Sequence, residues 1–274
     1  MTILTRNHAT LALEVKAHID ADALVRGEYW NGSKGCFIGC LTHSEDPKPA
    51  FERFGLTEPL MRIAEDIFED LPDNEGRAFF AALPDAVGCD GKDLSRVHWA
   101  FLATELRILP QLDIVDTVIS GMDLLAAGKE WSVDAAHSAY TAIHAAAQAA
   151  NAAYADAYDH AAYTATRAAY FTAANAAHAF YRNCVDGHAY NVAAYSADVA
   201  SCAAAHAAHA ARAASYAASP AYVASYEALA ARSADRAAYA AVLATRIRQR
   251  DTLLRLISEA PMGDELHTKE KQND

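Results

Sequence analysis

Between Val133 and Ala244, 50 of 112 residues are alanine, no leucine occurs between Leu125 and Leu229, and no lysine between Lys129 and Lys269. A segment of this kind has too few branched or aromatic side chains for a half-buried sheet. Alanine is the best helix former. The segment also lacks the Pro, Glu and Ser runs of disordered chains, and is punctuated instead by tyrosine. It therefore predicts helices. Alanine faces let neighbouring helices approach near the lower end of the roughly 8–10 Å interaxial range. Tyrosine then supplies the missing buried area with a ring whose polar tip stays wet. Tyr154, Tyr158, Tyr163, Tyr170, Tyr181, Tyr190 and Tyr195 recur at mixed spacings, without a strict repeat.

Ser132 or Asp134 offers a cap for the first of these helices, Gly187 breaks the pattern, and Pro220 breaks it again while opening a new helix. Three long antiparallel helices are expected, over 133–182, 188–218 and 220–259, with a bend near Asn151 or Asn175. The last regains ordinary apolar residues, and Leu243, Ile247, Leu253, Leu254 and Ile257 are expected to seal the bundle or dock on the first half. The expected organisation is all-α: a compact N-terminal helical domain over 1–130, an Ala/Tyr-rich helical bundle over 131–260, and a disordered tail over 261–274.

The first half reads as shorter helices. Leu11, Val15, Ile19 and Ala23 form one stripe ending at a C-cap Gly27. Thr57 is an N-cap candidate for a helix that buries Leu60, Ile63, Ile67 and Leu71 and stops at Pro72. Val97, Phe101, Leu102 and Leu106 face inward on the next helix, and a further one runs from Pro110 to Gly128. No stretch alternates as a strand does.

Lys plus Arg total 23 against 35 Asp plus Glu, a formal charge of -12. That balance argues against binding nucleic acid through its phosphates and against a basic membrane-surface role. The N-terminus lacks a signal-peptide pattern, and the uncharged run 135–155 carries His137, His144, Gln148 and Asn151, too polar for lipid. Five cysteines without an export signal suggest reduced thiols and a cytoplasmic location.

The chemistry concentrates in Gly35–Ser44, GCFIGCLTHS. If it is helical, Cys36, Cys40 and His43 share one face, and Gly35 and Gly39 line an adjacent strip that lets another backbone come close. Cys36 would lie near a helix N-terminus, where the dipole lowers a thiol pKa. Four readings stay open. The cysteines are small packed residues in a glycine-tight contact. Or Cys36, Cys40 and His43 bind zinc, with a fourth ligand from His18, Cys89 or His98. Or Cys36 is a nucleophile with His43 or His18 as base. Or Cys36 and Cys40 form a disulfide. Elsewhere, Asp90 or Asp93 is expected to cap the helix after VGCDGKDLS. Glu65 and Glu69 read as a solvated helix face. His206 with His209, and His137 with His144, have ligand spacing but read as polar fillers, and Cys184 and Cys202 as small buried residues.

GEYWNGSKGCFIGCLTHS, then FGLTEPLMRIAEDIFEDLP, then the Ala/Tyr/Asn-rich tail closing in a leucine-bearing helix, resemble over nearly the whole chain a group of uncharacterised bacterial and phage-encoded proteins. These share a tryptophan-glycine segment leading into GC-x-x-GC and an EDxIFExLP helix. The tail is similar in composition to the alanine-rich part of putative bacterial immunity proteins, which implies a toxin- or partner-binding role. The expected function is a non-enzymatic protein-interaction protein of mobile-element or bacterial-conflict type, without a cofactor. The alternative is a thiol- or zinc-dependent hydrolase using Cys36, Cys40 and His43.

Overall fold

The computed structural model describes residues 4–108, 112–153 and 227–263, with Tyr170, Ala173, Ala174, Ala177 and Phe180 between them. These residues are all-α: nine helices and no strand among them. The breaks expected at Gly187 and Pro220, the helix expected over 188–218, the helix start at Pro110, most of the tyrosine series, His206, His209, Cys184, Cys202 and the tail from Asp264 lie outside the described residues.

The chain forms two compact units, one built from 1–101, 125–129 and 247–274, the other from 102–124 and 130–246. The sequence places a single boundary near residue 130; in the structure the end of the last helix joins the first unit.

In the first unit, α1 (His8–Asp20) buries Leu11 and Val15 and packs on α5 (Asp73–Val87) and on α2 (Phe37–Thr42). α2 also packs on α3 (Lys48–Phe54) and α4 (Glu58–Asp70). The Phe37 ring lies 5.0 Å from Phe79, 5.1 Å from Phe80 and 6.0 Å from Phe68, an aromatic knot at the centre of the core. α4 buries Leu60, Ile63 and Ile67, as its periodicity predicts, and Leu71 is buried just beyond its end. Thr57 holds the N-cap position, but its hydroxyl makes no capping bond and is buried without a hydrogen-bond partner.

Two helices are not announced by the sequence pattern. α3 has Pro47 at its N-cap and Pro49 in its first turn, and α5 contains Pro84. Pro84 has no amide to donate to the preceding turn, but its carbonyl still accepts the Gly88 amide at 2.8 Å and pairs with a His8 ring nitrogen at 2.9 Å, so the helix runs on to Val87. α1 ends at Asp20, earlier than Gly27. Asp22 turns left-handed at φ 51°, and the chain then bridges to Gly35, so Ala23 is buried from an extended segment. Asp90 caps α1, accepting the His8 amide at 2.8 Å, while Asp93 accepts the Ser95 amide at 2.9 Å ahead of α6 (Val97–Ile108). His98 is buried beside Trp99 with an unpartnered Nδ1, and burial lowers its pKa to about 3, so it stays neutral.

The last helix, α9 (Glu227–Ser258), enters this unit from Ile247 and buries Leu253 and Ile257 in it. Lys92 closes its C-terminus, donating to the Ser258 carbonyl at 2.7 Å and the Ile257 carbonyl at 3.4 Å. Lys92 also pairs as a β-bridge with Met262.

In the second unit, α6 contributes Leu102, Ala103 and Leu106 to the core, and α7 (Asp113–Ala126) contributes Val115, Val118, Ile119 and Met122. Gly121 leaves room for Trp131, whose ring would lie 2.4 Å from a Cβ there. α8 (Val133–Ala153) buries Ala136, Ala139 and Ile143. Ala173, Ala174 and Ala177 are also buried, and Phe180 stacks on Trp131 at 5.3 Å.

Candidate functional site

The site grows out of the loop between α1 and α2. Leu24 bridges to Gly35, with Val25 donating to the Gly35 carbonyl at 3.0 Å and Gly35 to the Ala23 carbonyl at 2.9 Å. Above that bridge the chain turns tightly at Asn31. Its amide donates to the Lys34 carbonyl at 3.0 Å, and its Oδ1 accepts the amides of Ser33 and Lys34 at 3.1 and 2.9 Å. Asn31 Nδ2 donates to Glu28 at 2.9 Å, and Gly32 supplies a positive φ of 98°.

The repeated Gly-Cys has a steric cause. A Cβ on Gly35 would lie 2.1 Å from the Tyr29 carbonyl oxygen, and one on Gly39 only 1.3 Å from it. The glycine strip is the seat on which the Tyr29 backbone rests.

α2 is short, and its ends split the cluster that the sequence groups together. Cys36 is the N-cap, buried, with its sulfur 3.9 Å from the Tyr29 carbonyl oxygen. Cys40 is buried inside the helix and donates to the Gly35 carbonyl at 3.3 Å. His43 has already left the helix, in left-handed backbone at φ 55°. Its ring stacks on Trp30 at 4.3 Å and meets His18 edge-on at 5.5 Å, and His18 in turn meets Trp30 at 5.8 Å. The structure therefore gathers His18 with His43 and Trp30, while Cys36 turns towards α4. Cys36 and Cys40 are free thiols, so they form no disulfide. Among the described residues, the one group of three or more metal-type donors lying within 4.8 Å of one another is Cys36, Glu65 and Glu69. Cys40, His43 and His18 do not join it, and neither do Cys89 or His98.

Glu65 is the residue the sequence misplaces. It is 8% exposed and accepts the Ile38 amide at 2.7 Å, closing the first turn of α2 from a neighbouring helix. Burial, opposed by bonds from Cys36 and Ile38 and reinforced by Glu69, raises its pKa to about 7. Glu69, one turn on and half-buried, accepts the Gly27 amide at 2.7 Å. The Cys36 thiol is not lowered by the helix end, as its position alone predicts. Burial and then the Glu65 charge push it well up, and burial pushes Cys40 up to about 12. Burial also raises the Tyr29 phenol, with Arg62 opposing. Each carboxylate in the trio already accepts a backbone amide, and the thiol keeps its proton against Glu65. The trio ties α4 to α2 and to the loop through these bonds, and we do not assign it as a ligand set.

The chain matches no protein-family model, no curated protein and no solved structure. Among the described residues, no helix is long and apolar enough to cross a membrane.

Proposed function

We propose that this chain is a non-enzymatic, cytoplasmic partner-binding protein of mobile-element or bacterial-conflict type, and that its recognition element is the loop Tyr29-Trp30-Asn31-Gly32-Ser33. The observation that carries this reading is the preorganisation of that loop. Tyr29 is 40% exposed, yet its backbone is fixed on Gly35 and Gly39, and the turn is closed by Asn31. Tyr, Trp, Asn, Gly and Ser are the residue types of binding loops: rigid aromatic anchors beside adaptable polar groups. Holding such a loop in one shape lowers the entropy cost of association.

The hydrolase alternative draws no support from the geometry. Its thiol is kept protonated by burial and then by the Glu65 charge, and no hydrogen bond joins it to His43 among the described residues. The reading needs no metal.

The test is capture of a partner from host lysate by the full-length chain, repeated with Tyr29→Ala and Trp30→Ala. Loss of the captured partner in both variants, with helicity retained, supports the loop. Equal capture by the wild type and both variants rejects it.

A further inference from the structure

The loop is anchored by two pairs of titratable groups that make opposite demands of pH. At its base, Gly27 hangs on Glu69, and the Cys36 end of the loop hangs on Glu65. At its tip, Trp30 rests on His43 and His18. We propose that the loop is gated by pH, seated only while the Glu65 carboxyl beside Glu69 holds a proton and the His18 imidazole beside His43 holds none, so that partner binding peaks between the two titrations and falls on either side. This regulation rests on the loop being the recognition element.

Consider the base first. The two carboxyls lie within 4.8 Å of each other. A proton on Glu65 lets them sit side by side; losing it puts a negative charge against Glu69 in a mostly buried site. Glu65 is enclosed and cannot move, whereas half-buried Glu69 can swing into solvent, abandoning the Gly27 amide. The other groups facing the pair do not relieve it. Cys36 is a protonated thiol, Tyr29 a neutral phenol, and Arg62 bonds Tyr29 and pairs with Glu58 at 3.8 Å. The raised Glu65 pKa puts this event near neutrality.

At the tip, the two imidazoles lie 5.5 Å apart. A second positive charge there is opposed by the first, and Glu14, the acid facing His18, is held by Arg53. Burial and then His43 lower the His18 pKa, so the His18 ring stays neutral and packed on Trp30 to below the usual imidazole range.

The test uses the free, full-length, nitrogen-15-labelled protein and follows the Gly27 amide and the Trp30 indole from about pH 5 to about pH 9. The expected result is a Gly27 transition near neutrality and a separate Trp30 transition at lower pH. Glu69→Gln keeps an acceptor for Gly27 without the charge, and should erase the first transition and spare the second. His18→Gln should do the reverse. A Gly27 amide that stays fixed across neutrality in the wild type overturns the proposal, as does a transition unchanged in Glu69→Gln. No partner takes part, so a flat titration leaves the recognition reading standing. A failed capture experiment, conversely, leaves the titration standing.

Discussion

A methyl group at position 39 would lie 1.3 Å from the Tyr29 carbonyl oxygen, and no flexible side chain is there to yield. Gly39→Ala should therefore cost about 3 kcal/mol or more, read as a lowered urea midpoint. Thr57 makes the opposite case. It stands where a capping residue is expected, yet its buried hydroxyl has no partner. Thr57→Val should be neutral or stabilising by up to about 1 kcal/mol, whereas a capping Thr would lose that much. Glu65 sets a pH dependence. Its folded pKa of about 7 lies above the ordinary carboxylate value, so the native state binds more protons than the unfolded one between the two. Stability should be greatest below the ordinary carboxylate range and fall as pH rises through about 7, by on the order of 3 kcal/mol from this group. Glu65→Gln, which keeps an acceptor for Ile38, should flatten that fall in denaturation midpoints measured across the range.

At the scale of elements, local pattern is a good guide wherever a helix supplies its own buried stripe. α4 and α6 follow their periodicity, with Ile63 and Ile67, then Phe101 and Leu106, fully buried. The pattern fails where long-range bonds decide an end. α1 stops before Gly27 because the Leu24–Gly35 bridge draws the chain into extended backbone. Its N-terminus is capped by Asp90, 82 residues away, which local reading assigns to the helix after it. Asp90→Ala should cost about 1 kcal/mol and raise amide exchange in the first turn of α1 while sparing α6. Asp93→Ala serves as the comparison, since its acceptor faces Ser95.

At the scale of the molecule, the composition shift near residue 130 coincides with one of the points where the chain passes between its two units, but the units are not its two halves. The first unit takes back the stretch from Ile247, with Leu253 and Ile257 buried and Lys92 bonded to the end of α9. A chain ending at residue 246 should lose about 1.5–3 kcal/mol for each of those two side chains and take the Ile257 and Ser258 carbonyls from the Lys92 ammonium, leaving it the Ala86 carbonyl at 3.3 Å. In thermal unfolding of full-length and shortened chains, the first unit should melt at a lower temperature in the latter. An unchanged transition for the first unit would show that the end of the last helix contributes nothing to it.

The sequence alone determined the all-α class, because alanine enrichment and apolar stripes act through nearest neighbours on one helix. It also marked Gly35 and Gly39 as a strip for a close backbone, since neither carries a side chain that would hold a neighbour away. Which backbone rests there, and which groups face Cys36, depended on tertiary contacts. A helix of only six residues cannot hold Cys36, Cys40 and His43 on one face, so its two ends turned to different neighbours. Glu65 looks solvated in its own helix, and only the packing of α2 against α4 buries it and turns an ordinary carboxylate into the acceptor at the start of α2.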